Sequence, residues 1–525
     1  MSSASLSIAL EHLRAGRYAE VSSLCRDVVA SAPDVAAGWQ LLGIAKLHLG
    51  AVDEAIELLR RSTQLAPHDP IGHYNLGLAY HRRGALGDAG NSYLQAILRD
   101  PNHADAYQNL GRLMCELEKF PEAVGCYERL LTLRPNDFHA FFGLGNARRE
   151  LGDLNTAESF LRRALEFKPL DADTINNLGA VMELQGRLDA AETCFLEVLR
   201  INPEYHQTRW NLAILQLLRG DFEQGWRGVA SLRIFESPEK GTRRFSQPIW
   251  DGSSRTGQTI LLHEAQGLGD VIHLVRYAEQ VKRRVGRVVL ECDPPLVSLL
   301  GRAPGVDLAV ARGGPLPPFD VQSMMLELPG LFGTRLESIP ARIPYLSADP
   351  TLVRSWRDSL TADRSFRVGI HWHGNPKNRS NRRRSLPLAC FEPLARVPGV
   401  RLYGLQKGPG WEQLAELNGR FEVVDMSEKL TDFDQTAALM ANLDLIVTCE
   451  SAPAHLAGAL GVPVWVAIPF APSWQWLLDR PDSVWYPGMQ LFRQKDRTAW
   501  SEVMQQMAAN LERLVTTRRR SPATG

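Results

Sequence analysis

The sequence predicts two architectures in one chain, an all-α repeat array followed by a parallel α/β region. Three observations predict it. A period of 34 residues runs without a slip across the first 220 positions. Around 236–257 the helical period stops, and Gly, Ser, Pro and charged residues take over. Beyond 258, short β-rich runs alternate with helical stretches, the pattern of strand–helix–strand units.

A chain of 525 residues is too long for one core, so several domains are expected. Hydrophobic residues at 44% and charged residues at 22% are those of an ordinary globular protein and exclude general disorder. Lys plus Arg and Asp plus Glu both number 59, so the chain as a whole gives no electrostatic reason to bind nucleic acid or an anionic membrane. No apolar run reaches the roughly 18 residues of a spanning helix, and the start, MSSASLSIALEHLRAG, lacks a basic segment followed by an apolar one. A cytoplasmic protein without integral membrane contact is expected. The seven cysteines (25, 115, 126, 194, 292, 390 and 449) form no CxxC pair and no Cys/His cluster at zinc-like spacing, so they read as reduced thiols.

In the repeat region Pro33, Pro67, Pro101, Pro135, Pro169 and Pro203 stand 34 apart, as do Leu42, Leu76, Leu110, Leu144, Leu178 and Leu212. Each of these leucines but the last precedes Gly. Ala55, Ala89, Ala123, Ala157 and Ala191 keep the same step, and so do Gly16, Gly50, Gly84, Gly152, Gly186 and Gly220, with Glu118 the exception. Two helices per unit follow: small residues let the pair approach, a turn separates them, and Pro closes the second helix. The pattern resembles the tetratricopeptide repeat, six full copies and a degenerate seventh, giving a solenoid over 1–235 and a linker over 236–257. Asn75, Asn109, Asn177 and Asn211 recur at this step, interrupted by Gly143. Two readings stand for them. A ladder of carboxamides along a groove can hold both N–H and C=O of an extended polypeptide, and is similar to that lining the eukaryotic O-GlcNAc transferases; alternatively, each Asn ties neighbouring helices together.

The α/β region opens with a strand at Thr259–Glu264, a turn Gln266-Gly267-Leu268-Gly269-Asp270, and a helix VIHLVRYAEQVKRR. A glycine loop leading into a helix N-terminus lets backbone approach a ligand and keeps a carboxylate ionised; on spacing alone, the favoured reading of Asp270 is a helix cap. GxGxxG is absent, so this is not a dinucleotide fingerprint. Further strands are expected at Arg287–Cys292 and Val306–Ala311. After a Pro-rich passage a second set follows at Phe366–Trp372, Val400–Leu405, Leu443–Thr448 and Pro463–Ile468. Two lobes, 258–350 and 351–525, would enclose a cleft at their C-terminal strand edges. The aromatic string Trp474, Trp476, Trp485 and Tyr486 suits stacking on a base or sugar, or packing between lobes. Arg518, Arg519 and Arg520 read as a frayed tail.

GLGD at 267–270, HWHGNP at 371–376, the RRRSLPL run, LQK at 405–407, ESAPAHLAGALGVPVW at 450–465 and WQWLLDRPDSVWYPGMQLFRQ at 474–494 together resemble the heptosyltransferase-like family, glycosyltransferase family 9. The likeness is to its bacterial members with repeats in front, and it runs over the whole chain. It implies a GT-B-like pair of Rossmann-type lobes, a nucleotide-sugar donor, inversion at the anomeric carbon, and no metal or other cofactor. It places the general base on Asp270, since an alcohol attacks only when a positioned group takes its proton. It places donor contacts on Gly269, Glu450, Ser451, Ala452 and His455. The basic cluster Lys377, Arg379, Arg382, Arg383 and Arg384 follows the HWHGNP strand end and has two readings, a diphosphate clamp on Lys377 and Arg384 or, for most of it, a solvated loop; Gln406 and Lys407, after another strand end, suit the lining of a nucleotide pocket. Two positions depart from the family: Glu450 stands where Asp is usual, and Pro453 removes an N–H from the first helical turn.

The leading functional expectation is a metal-independent inverting glycosyltransferase, hexosyl or heptosyl, whose repeats present a polypeptide acceptor; flagellin is a candidate by analogy. A second reading is a repeat-bearing scaffold with a degenerate transferase region. A third is lipopolysaccharide or polysaccharide glycosylation, which leaves the repeats unexplained.

Overall fold

The computed structural model describes residues 2–230, 243, 245–263, 267–376 and 381–520. The chain divides into two compact units, Met1–Pro203 and Glu204–Gly525.

The first unit is a run of helix pairs: α1 (Ser2–Arg14) with α2 (Tyr18–Ser31), α3 (Ala36–His48) with α4 (Val52–Leu65), α5 (Pro70–Arg83) with α6 (Leu86–Arg99), α7 (Ala104–Glu116) with α8 (Phe120–Leu133), α9 (Phe138–Glu150) with α10 (Leu154–Phe167), and α11 (Ala172–Leu184) with α12 (Leu188–Ile201). The sequence repeat has a physical cause at each position. A Cβ on Gly43, Gly77, Gly145 or Gly179 would come to 2.6 Å from Leu59, Tyr93, Leu161 or Phe195 of the second helix, and on Gly111 to 2.9 Å from Tyr127. Only a missing side chain lets each pair close.

The turn glycines take positive φ, from +69° at Gly16 to +86° at Gly220. Glu118 occupies the same place at φ +57°. Left-handed backbone is unfavourable for a residue with a Cβ by about 1–2 kcal/mol.

The second unit begins with α13 (His206–Arg219) and α14 (Phe222–Ala230). Sequence periodicity groups this pair with the repeats, yet its apolar face joins the core of the α/β lobes. Phe222 stacks on Trp485 at 5.8 Å, and Trp226 meets Trp474 edge-on at 5.1 Å.

The first lobe holds β1 (Gln258–His263), α15 (Leu268–Leu274), α16 (Ala278–Val285), β2 (Gly286–Cys292), α17 (Val297–Leu300), β3 (Leu308–Ala311), β4 (Val321–Met324) and α18 (Leu328–Leu331). Its sheet is parallel, in the order β3-β2-β1-β4, with Leu261 opposite Val289 and Gln322. The helix expected to run on from the glycine loop is broken by a 3-10 turn at Val275–Tyr277.

The second lobe holds α19 (Pro350–Ser359), β5 (Phe366–His371), α20 (Asn381–Arg384), α21 (Glu392–Ala395), β6 (Val400–Gly404), α22 (Gln413–Glu416), β7 (Val423–Asp425), α23 (Phe433–Met440), β8 (Leu445–Cys449), α24 (Ala452–Leu460), β9 (Val464–Ile468), β10 (Gln490–Arg493) and α25 (Trp500–Arg520). Its six strands are also parallel, in the order β10-β9-β8-β5-β6-β7. β8 and β9 are buried along their whole length, as expected of parallel strands covered on both faces. The expected frayed tail is instead the end of α25, where Arg518 pairs with Asp444 at 2.5 Å. No helix among the described residues is long and apolar enough to cross a membrane.

Two stability outcomes follow. Glu118→Gly is expected to raise the first unit's unfolding free energy by up to about 1 kcal/mol, the relieved strain less the greater freedom of Gly when unfolded; denaturant titration measures it. Trp226→Ala is expected to destabilise the second unit by about 3–5 kcal/mol, seen as a lower midpoint in its unfolding transition.

Candidate active site

The two lobes meet where the first turns of α15 and α24 touch. Gly267 starts α15 in extended backbone, and Asp270 closes back on its carbonyl at 3.0 Å. A Cβ on Gly269 would lie 3.0 Å from His455 Cδ2 and 3.4 Å from Ala452 Cα, so the absent side chain sets the closeness of this crossing. Gly269, Asp270, Ala452 and His455 are thereby brought together.

The carboxylate of Asp270 accepts a hydrogen bond at 3.1 Å from Gln475, in the short turn Trp474–Trp476. Burial pushes the carboxyl up to about 6; the charge of Glu450 acts in the same direction, and Arg384 and the Gln475 amide oppose both. A carboxyl of this kind is ionised at neutral pH yet more basic than a surface aspartate.

Around it stand the strand ends of the second lobe. Ser451 begins α24 but makes no side-chain cap. Its hydroxyl is instead bonded to Thr448 Oγ1 at 3.0 Å and His371 Nδ1 at 3.1 Å. His371 is held far below its usual range, at about 3, by burial, Arg384 and His373, so it is neutral. Glu450, buried, accepts from the Ser473 hydroxyl and from the Ser473 amide at 3.3 Å.

Arg384 lies along Gly374, where a Cβ would be 3.0 Å from its Nε, and that Nε is buried without a hydrogen-bond partner. Lys377 lies outside the described residues.

Gln406 does not have a free carboxamide for a nucleotide. Its oxygen accepts from the His373 amide at 3.0 Å and the Trp372 amide at 3.4 Å, while its nitrogen donates to His373 O at 3.0 Å and Pro409 O at 2.8 Å. It ties the ends of β5 and β6 together. Lys407 is exposed and donates to the Leu430 carbonyl.

Sequence reasoning missed a buried cluster behind Asp270. His273 on α15 and His455 on α24 each place Nδ1 at 2.9 Å from the Tyr486 hydroxyl. The hydroxyl has one proton, so one ring donates to it and the other accepts from it. Burial, with Arg276 and Arg384, lowers His455 to about 3, and burial with Arg276 and His455 holds His273 well below the usual histidine range; both are neutral. Arg276 closes the cluster, donating to Trp485 O at 2.8 Å, His273 O at 2.7 Å and Tyr345 Oη at 3.0 Å. Trp474, Trp476, Trp485 and Tyr486 are all buried, so the aromatic string is a packing element. The legible signal was one polar residue, Gln475, between two tryptophans.

Of the repeated asparagines, Asn75 is buried on α5. Asn109 donates to Tyr74 Oη and Asp105 O, both at 3.0 Å, Asn177 accepts from Arg149 at 2.9 Å, and Asn211 accepts from Gln207 at 3.0 Å. The Tyr74 and Arg149 bonds reach the neighbouring repeat. Gly143 interrupts the series because Tyr127 fills its place: a Cβ there would lie 2.3 Å from the ring.

Profiles of the tetratricopeptide repeat match residues 45–84, 72–103, 92–125, 109–172 and 172–202. The profile of glycosyltransferase family 9 (heptosyltransferase) matches 398–468, the stretch from β6 through β9. The chain thus carries tetratricopeptide repeats over 45–202 and, over 398–468, a stretch similar to glycosyltransferase family 9. The family 9 match contains Gln406, Lys407, Glu450, Ser451, Ala452 and His455; Gly269, Asp270 and Arg384 lie before it. Protein FlbA of Caulobacter vibrioides is 27% identical over 325 residues, a match spanning 57% of this chain and 54% of that one, so the chain spans about half the length of that relative. Among solved structures, YrrB, a tetratricopeptide-repeat protein, is 18% identical, covering 35% of this chain and 95% of that one at a TM-score of 0.33. MamA from Desulfovibrio magneticus RS-1 is 20% identical, covering 32% and 96% at 0.31. At these scores the two structures add nothing to the helical reading.

Gly269→Ala is expected to force α15 and α24 apart and destabilise the second unit by about 1–3 kcal/mol, the range for overpacking. Denaturant unfolding with the wild type as reference measures it.

Proposed function

We propose that the chain is a metal-independent, inverting glycosyltransferase that moves a sugar from a nucleotide-sugar to an acceptor hydroxyl. The observation that carries this reading is Asp270: a carboxylate with its pKa raised to about 6, set against the first turn of a helix from the opposing lobe. Asp270 takes the acceptor proton as the oxygen attacks the anomeric carbon, and the sugar–phosphate bond breaks on the opposite face. The departing diphosphate carries negative charge. The positive N-terminal end of α24, whose first turn has no side-chain cap, and Arg384, with its unpartnered Nε, supply the opposing charge. Neutral His455 offers a ring N–H or lone pair at the same helix turn, fixed by Tyr486.

The internal bonds of Ser451, Gln406 and Lys407 support a positioning role for these three, rather than direct donor contact. The tetratricopeptide repeats support a protein acceptor in the repeat region, flagellin among the candidates. A hexose or a heptose fits this chemistry equally.

Titration calorimetry of the full chain with UDP, GDP, ADP, CDP and dTDP is the first test. Micromolar binding of one of them, with Arg384→Ala weakening it about tenfold or more, is the expected result. A folded chain that binds none of them leaves the scaffold reading in its place. With the donor so identified, Asp270→Asn is expected to lower nucleoside diphosphate release in the presence of acceptor by about 10²–10⁴-fold. Wild-type activity should fall as pH drops below about 6, where Asp270 takes up its proton and ceases to be a base. A flat profile between pH 5 and 8 would count against Asp270.

A further inference from the structure

We infer that Gln475 is the positioning residue of Asp270, reaching it from the second lobe and fixing which carboxylate oxygen is left to take the acceptor proton. The inference rests on the reading of Asp270 as general base.

Gln475 donates from Nε2 to Asp270 Oδ1 at 3.1 Å. That bond occupies Oδ1 and leaves Oδ2 to accept a proton. An N–H donated to a carboxylate stabilises the anion, so the same contact limits how far burial raises its proton affinity. The other groups that face Asp270 are Arg384 of α20, whose charge favours the anion, Glu450 after β8, whose charge opposes it, and neutral His455 of α24.

Gln475 has little freedom to do otherwise. It is 6% exposed, and both flanking residues are buried tryptophans. Trp474 is wedged edge-on against Trp226, Trp485 and His273 at 5.1, 5.8 and 5.8 Å. Trp476 stacks on His455 at 5.1 Å. Glu450 holds the backbone N–H of Ser473, one residue before the turn.

A second feature separates this residue from an ordinary core glutamine. Its Oε1 is buried and has no hydrogen-bond partner. A buried amide oxygen without a partner is costly, so packing alone does not favour an amide at this position.

The test uses the full chain with Gln475→Ala and Gln475→Met, which both lack the donor and add no titrating group, each with Asp270 intact and with Asp270→Asn, and reads thermal midpoints from pH 5 to pH 8. The sign follows from linkage. Asp270 has a folded pKa of about 6, above the unfolded value of about 3.9, so the folded state holds the proton longer and this group's contribution to stability falls as pH rises between the two. Losing the Gln475 donor raises the folded value further and extends that fall to higher pH. The expected result is a midpoint deficit of Gln475→Ala that widens from pH 5 to pH 8, the same widening for Gln475→Met, and a flat deficit of both in the Asp270→Asn background.

In the transfer assay the acid limb of Gln475→Ala should move up by about one pH unit, with the rate at pH 8 reduced far less than the rate at pH 6. A deficit equal at every pH, or unchanged by Asp270→Asn, overturns the inference and leaves Gln475 a packing residue. Should Gln475→Ala not fold, Gln475→Met, closer in volume, carries the same comparison. Failure of the base reading is told apart, because Asp270→Asn would then transfer sugar at the wild-type rate while the pH-dependent coupling in the midpoints persists.

Discussion

The second unit is organised by one close approach, that of α15 and α24 through Gly269. Two helix N-termini are brought side by side there, each with unpaired amides and a positive end. Such ends repel unless anions stand between them. Asp270 and Glu450 are placed at this junction, and Arg384 balances them. A larger residue at position 269 would separate the helices, and the carboxylate of one lobe would no longer face the helix dipole of the other. The tautomer pair of His273 and His455 on Tyr486 depends on the same approach, because each ring comes from a different lobe.

The junction is held from behind by aromatic packing, and this explains why the last helix pair belongs with the lobes. Phe222 and Trp226 of α14 cover Trp485 and Trp474, and these in turn flank His273. Removing the pair would bare several large apolar rings to water, at about 25 cal/mol for each Å² exposed. Periodicity assigns α13–α14 to the repeats because its helices use the same residue spacing. Burial assigns it to the lobes because its apolar face is used there. A repeat unit has two faces to cover, and its sequence does not say which neighbour covers them.

Much of the fold was legible in the sequence. The 34-residue step located the helix pairs, since Gly43, Gly77 and their equivalents mark contacts that only a missing side chain permits. Hydrophobic runs located seven of the parallel strands within two residues. The strands at Val321–Met324, Val423–Asp425 and Gln490–Arg493 were not legible, being three or four residues long and lacking a continuous apolar run. At the site, the glycine loop and the turn before α24 could be read because each joins a strand to a helix. The partners of single polar groups could not. Whether Gln406 faces a ligand or two backbone segments depends on a loop, Gly408–Trp411, whose path no local pattern specifies. The same holds for Ser451, whose hydroxyl turns toward His371, 80 residues away in sequence.

Glu450 shows how a departure from a family pattern acquires a physical reason. Family 9 resemblance leads to an expectation of Asp at this position, and one added methylene changes what the carboxylate reaches. In this chain it reaches the hydroxyl and the backbone N–H of Ser473, where the Trp474–Trp476 turn begins. The turn carries Gln475, and Gln475 holds Asp270. The longer side chain thus ties the loop that starts α24 to the turn whose Gln475 bonds the carboxylate of the other lobe. A shorter acid would fall short of Ser473 by about one carbon–carbon bond and leave that tie unmade. Pro453 belongs to the same arrangement. It removes one amide from the first turn of α24 but fixes the helix start at the point where Gly269 must pass, and the backbone of Ala452 remains in contact there.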